Sequence, residues 1–305
     1  MSMKKGLSWT LLISAFIVIA VIAIMYWKRK RMYSDHATIN PPPGYKVDIS
    51  PPRSLTNTWL TYNGSTLLVP LRVCGKWHHD FVIDTGSGRL VTLNQKPCVD
   101  VAPKKVNLSY GSMGVEAVKT TQPLDVQVGA LKMEIKMPTA YFADACTRGH
   151  CANILGLMPP ESGGTFPHHS FSIIFDGVGG GWFALYPDPP DNAIPIEYTI
   201  IKGFYTLPNV QIVNPRTGER KKRHAAVDSG TTLVEFPAGV DISEPLDIYT
   251  GDGKTKLASL QPRDMDTSAA VSSAFPDQTF VLGLPFFRKK HVAFNGDEKR
   301  IYIWA

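Results

Sequence analysis

The sequence predicts an all-β body made of two related halves, preceded by a single transmembrane helix. Three observations predict it. Residues 7–27 form an unbroken apolar run, the chain beyond residue 53 breaks into short alternating apolar stretches, and one ordered set of features is written twice along that region.

Residues 7–27 (LSWTLLISAFIVIAVIAIMYW) are 21 residues without a charge. As an α-helix they would reach about 31 Å, enough to cross the hydrocarbon core of a bilayer. Lys4 and Lys5 precede the run, and residues 28–31 (KRKR) follow it. A secretory signal peptide is the competing reading. The run is long for one, however, and no small-x-small cleavage site stands between Met25 and the basic cluster, so an uncleaved anchor over residues 1–31 is expected. Removing those six basic residues leaves 26 Lys plus Arg against 26 Asp plus Glu, so the net charge of +6 belongs to the membrane flanks. A neutral body argues against nucleic acid as a partner.

Membrane orientation is pulled both ways. Four basic residues after the run against two before it favour a cytoplasmic body. The even set Cys74, Cys98, Cys146 and Cys151, with the sequons Asn63-Gly-Ser and Asn107-Leu-Ser, favours an oxidising, glycosylating compartment. The expectation is a single-pass protein with a lumenal or extracellular body.

Residues 32–56 read as a stalk, because Pro41-Pro-Pro-Gly44 and Pro51-Pro52 cannot propagate a helix or a central strand. Period-two runs bounded by Gly, Pro, Asn and Asp follow, starting with residues 59–62, an Asn63-Gly64 turn and residues 66–73. Asn63 is accordingly read as a turn residue before it is read as a sugar carrier. The two halves are assigned to residues 57–182 and 183–305.

Each half places an Asp directly behind an apolar strand, then a small hydroxyl residue, a Gly and a second hydroxyl residue. The first reads Phe81-Val-Ile-Asp84-Thr85-Gly86-Ser87 and reaches the Gly of Ile154-Leu-Gly156 72 residues after the Asp. The second reads Ala225-Ala-Val-Asp228-Ser229-Gly230-Thr231 and reaches the Gly of Val281-Leu-Gly283 after 55. A carboxylate behind a buried strand is costly unless shared or hydrogen-bonded, so two such strands in one chain suggest that the carboxylates meet. Glycine permits the sharp turn, Thr85 and Ser229 can bond across it, and Ser87 and Thr231 can donate to the carboxylates. A close pair holds one proton, leaving one base and one acid, as water-mediated amide hydrolysis requires.

On these motifs the chain resembles the pepsin-like aspartic peptidases, in order over residues 59–305. Asp84-Thr-Gly-Ser and Asp228-Ser-Gly-Thr look like that family's active-site turns. Asn153-Ile-Leu-Gly-Leu and Phe280-Val-Leu-Gly-Leu look like the strands threading behind them, and residues 286–295 with 300–304 are similar to its closing strands. The resemblance implies a bilobal acid-protease fold with pseudo-twofold lobes, Asp84 and Asp228 as catalytic pair, a cleft for an extended polypeptide substrate, and no cofactor. It also implies a flap hairpin at residues 108–114, with Tyr110 and Gly111 closing over substrate. Val91 departs from the pattern by standing where the family commonly has a Trp that supports the flap, and the flap tip looks shortened.

Other chemistry scores poorly. Cys146-Thr-Arg-Gly-His150-Cys151 reads as a small disulfide loop, since zinc would need a fourth ligand and roomier spacing. Cys74 and Cys98 are the other candidate bridge, and no metal is expected. His78-His79, His168-His169 and the basic run 220–223 read as structural or solvated, and residues 179–181 (GGG) read as a turn or the crossing between lobes. The functional expectation is a membrane-anchored aspartic endopeptidase working at acidic pH. The alternatives are an inactive pepsin-like binding module and a structural surface glycoprotein.

Overall fold

Strands dominate because the chain beyond residue 53 alternates apolar and polar residues between turns, and one lobe's strands feed directly into the sheet of the other. The computed structural model describes residues 41–42, 45–110, 113–131, 133–275 and 278–305, all within one unit, Asn40–Ala305. The expected anchor at residues 7–27 lies outside the described residues. Among the described residues no helix is long and apolar enough to cross a membrane.

The N-terminal lobe carries β1 (Ser54–Tyr62), β2 (Leu67–Val73), β3 (Lys76–Asp84), β4 (Leu90–Leu93), β5 (Val101–Tyr110), β6 (Met113–Thr120), β7 (Leu124–Val128), β8 (Glu134–Met137), β9 (Ala140–Arg148) and β10 (Asn153–Gly156). Between the lobes lie β11 (Ser170–Phe175), β12 (Gly180–Pro187) and β13 (Ile194–Glu197). The C-terminal lobe carries β14 (Thr199–Ile201), β15 (Phe204–Val213), β16 (Arg220–Val227), β17 (Val234–Pro237), β18 (Leu246–Tyr249), β19 (Lys256–Leu260), β20 (Met265–Ser268), helix α1 (Ala269–Ala274), β21 (Phe280–Leu282) and helix α2 (Leu284–Phe287). The closing strands are β22 (His291–Asn295) and β23 (Arg300–Trp304).

Among the described residues these strands make a 15-stranded sheet and an 8-stranded sheet. Within the larger, the order β13-β23-β22-β11-β12-β1 joins the end of the chain to its beginning, so the closing strands knit the halves together. The boundary drawn between residues 182 and 183 falls inside β12, which belongs to this shared layer. The largest apolar cluster runs from Leu60 and Phe81 through Phe171 and Phe294 to Phe236 and Phe280, all fully buried.

The proline-rich segment departs from a free stalk over its last part. Tyr45 donates its hydroxyl to the carbonyls of Leu60 (3.0 Å) and Gly181 (2.6 Å), and its ring meets Trp182 edge-on. Trp182 Nε1 donates to Ile49 O at 2.8 Å. Within the segment Tyr45 N donates to Pro42 O at 3.0 Å, and the Ile49 carbonyl is satisfied instead by the body.

Strands β3 and β16 share one design. Each opens on charged or polar residues and closes on three buried apolar ones, Phe81-Val82-Ile83 and Ala225-Ala226-Val227, immediately before the Asp. The buried ends take parallel partners: β10 beside β3, with Asp84 opposite Gly156, and β21 beside β16, with Val227 opposite Leu282. Continuous apolar runs of this kind mark strands covered on both faces.

Candidate active site

The glycines that close each repeat explain how the turns are held. A Cβ on Gly156 would lie 2.4 Å from Ser87 O and Arg89 N; one on Gly283 would lie 2.5 Å from Thr231 O and 2.0 Å from Leu233 O. In each lobe, therefore, the loop following the Asp crosses against the backbone of the threading strand, where only glycine fits. The loops are bonded to those strands: Met158 N donates to Ser87 O (2.9 Å) and Leu284 N to Thr231 O (2.9 Å).

The turns then lock to one another. Thr85 N donates to Ser229 Oγ (3.1 Å), and Ser229 N donates to Thr85 Oγ1 (3.0 Å). The hydroxyls continue outward, Thr85 Oγ1 to Val227 O (3.0 Å) and Ser229 Oγ to Ile83 O (2.8 Å). Both side chains are fully buried, so these four bonds satisfy groups that water cannot reach.

Each carboxylate receives a matching pair of donors. Gly86 N donates to Asp84 Oδ1 (2.8 Å) and Ser87 Oγ to Asp84 Oδ2 (2.6 Å). Gly230 N donates to Asp228 Oδ1 and Thr231 Oγ1 to Asp228 Oδ2, both at 2.9 Å. The carboxyls face each other across the two glycines: a Cβ on Gly86 would meet Asp228 Oδ2 at 2.5 Å, and one on Gly230 would meet Asp84 Cγ at 2.6 Å. Both aspartates keep part of their surface open to solvent at the floor of the site. Burial beneath dense protein, followed by the charge of Asp228, pushes Asp84 well above the usual carboxyl value of 3.8, against the opposing bonds from Ser87 and Gly86.

The structure thus brings Asp84, Thr85, Gly86, Ser87, Asp228, Ser229, Gly230 and Thr231 into one constellation. No protein-family profile matches the chain, and no curated protein matches it by sequence. Among solved structures, the aspartic proteinase from Irpex lacteus superposes with a TM-score of 0.62 over 81% of this chain and 96% of that one, at 15% identity. The chain has a pepsin-like fold.

Within this pepsin-like fold, β5 and β6 form a hairpin with Leu108 opposite Val115 and Tyr110 opposite Met113. The Tyr110 side chain and Gly111 lie outside what is described. Leu108, Val115 and Ala117 pack on Val91, Tyr141, Ala143 and Ile154, so Val91 is a buried support beneath the hairpin. The cysteines pair as Cys74–Cys98 and Cys146–Cys151. The second bridge closes a loop at the end of β9, which runs against β6 with Cys146 opposite Val115.

Asn63 Oδ1 accepts from Ser65 N (3.0 Å) and Thr66 N (2.9 Å), as a turn residue would, while Asn107 is exposed. His78 edges onto Phe81, and His168 Nδ1 lies 2.6 Å from the Tyr186 hydroxyl. Among the described residues no group of three metal-ligating side chains converges.

One residue beside the site escaped the sequence reading. Glu235, on β17, is half-buried and close enough to Asp228 to be affected by its charge. The signal was present in the repeat, because Glu235 follows Asp228 by the same seven residues that separate Val91 from Asp84.

Proposed function

We propose that this protein is a membrane-anchored aspartic endopeptidase. The observation carrying the reading is the paired turn: two facing carboxyls, each held by a backbone N–H and a hydroxyl, on turns cross-bonded through Thr85 and Ser229. Asp84 keeps a proton, and Asp228 accepts one from a water held between them. That water attacks the peptide carbonyl while Asp84 donates to the developing oxyanion, and the proton taken by Asp228 passes to the leaving amine. Because Asp84 holds its proton to unusually high pH, activity extends into the mildly acidic range and falls as rising pH removes that proton.

The anchor is residues 7–27, and the two disulfides support a body in an oxidising lumenal or extracellular compartment. Protease protection of microsomes tests the placement: digestion of the body from the cytosolic side would overturn it. The activity test uses the full chain in detergent micelles with an unfolded protein as substrate at pH 4 to 6. Cleavage blocked by a statine-type peptide is the expected result. Inertness across that range, with capture of a folded partner, would favour a binding module, a reading that Val91 in place of the flap-supporting Trp makes specific.

A further inference from the structure

Glu235 gives the C-terminal lobe something its counterpart lacks. The two positions correspond in register as well as in spacing. Glu235 lies opposite Val281, two residues before Gly283, and Val91 lies opposite Ile154, two residues before Gly156. On the other side each strand runs parallel to a neighbour, Glu235 beside Asp266 and Val91 beside Tyr141. Strand alternation sends Val234 and Phe236 into the core, both fully buried, and turns Glu235 to the opposite face.

In the N-terminal lobe that face is roofed by the β5–β6 hairpin, and the residue beneath it is apolar. In the C-terminal lobe the corresponding cluster is Ala226, Val271, Phe275 and Val281, with Ile201 and Phe204 packed against it, and Glu235 stays half-buried. Ser268 on β20 is a polar neighbour of its carboxyl. None of the ion pairs among the described residues includes it. The charged groups facing it are Asp228 on the preceding turn and Asp266 on β20. Strand β21 and helices α1 and α2 carry no charged residue. A half-buried carboxylate between two acids, with no ion-pair partner among the described residues, is favoured by any ligand that supplies a cation.

Resting on the peptidase reading of the dyad, we propose that Glu235 is a specificity-determining residue whose carboxylate selects polypeptides with a lysine or arginine side chain close to the scissile bond. Burial, and then the charge of Asp228, push the Glu235 carboxyl upward, so selection is strongest near neutrality and fades as acid protonates it.

Binding, measured apart from turnover, tests this. Statine-type peptides carrying lysine or norleucine in turn at each position flanking the statine are titrated against the full chain in micelles at pH 7 and pH 4.5. At one position lysine is expected to bind about tenfold more tightly than norleucine at pH 7, with the ratio shrinking at pH 4.5. Glu235→Gln should collapse the ratio at pH 7, and Glu235→Asp should retain part of it. The acid arm on the unaltered chain serves should the Gln variant fail to fold. Equal affinities at every position, binding of neither peptide, or a ratio that survives both Glu235→Gln and acid would overturn the inference. A lysine preference without cleavage of any substrate would remove the peptidase reading and leave selection by Glu235 standing, whereas cleavage without preference would do the reverse.

Discussion

The two aspartate turns agree atom for atom in what they do to the carboxylates and part company seven residues later. Gly86 and Ser87 serve Asp84 as Gly230 and Thr231 serve Asp228, and Gly156 and Gly283 admit the crossing loops in the same way. Beyond the turns, the N-terminal lobe places buried Val91 under a hairpin, and the C-terminal lobe places half-buried Glu235 where the corresponding cluster is built from Ala226, Val271, Phe275 and Val281. The shared part is what two facing carboxyls require, whatever the substrate. The part that differs is where the proposed selection by Glu235 would act.

The sharpest way to break the symmetry is at the carboxyls. Asp84→Asn and Asp228→Asn should each lower kcat by roughly 10²–10⁴, since each removes one member of the proposed acid–base pair. Circular dichroism should show both variants folded, and activity retained in either would end the equivalence of the turns. Next come the crossings. Gly156→Ala and Gly283→Ala place a methyl within 2.4 Å and 2.0 Å of backbone atoms, so each should cost roughly 1–3 kcal/mol or more in urea unfolding, by similar amounts. A neutral result at one of them would mean that its lobe can open the crossing.

A smaller effect is expected at the lock between the turns. Thr85→Val and Ser229→Ala each leave a buried backbone N–H of the other turn without its acceptor, at a cost of about 1–3 kcal/mol. The double variant should cost less than the sum, because the two side chains serve one reciprocal pair. Additive losses in a double-mutant cycle would show the bonds to be independent.

How much of this was legible in the sequence follows from what each feature depends on. The dyad was readable because the chain repeats it, and because Thr85 and Ser229 are the residues that can bond across such turns. The all-β body was readable from period-two runs such as those around the Asn63-Gly64 turn. The docking of Tyr45 and Ile49 was not, since proline-rich composition describes a segment's own conformation and says nothing of carbonyls waiting on β1 and β12. Glu235 was hidden for a related reason. Its meaning lies in a register across β21 that gives it the place of Val91, and spacing along the chain does not display which strand lies beside it.

The last contrast is the smallest and reads that position in free energy. Glu235→Val makes the C-terminal lobe resemble the N-terminal one. The folded-state pKa of Glu235 is raised, so below the ordinary value of 4.5 the side chain is neutral in folded and unfolded chains alike and the charge costs nothing. As pH rises, the unfolded chain ionises first, and stability is lost progressively until the folded carboxyl has ionised too. The valine variant lacks that loss. Its advantage over the unaltered chain should therefore widen between pH 4 and pH 7, and because the carboxyl is half exposed it should stay below about 1 kcal/mol. Urea midpoints at the two pH values measure it. A gap that narrows toward neutrality would mean that a cation already neutralises Glu235 in the folded protein, and would leave no unmet charge for a substrate to answer.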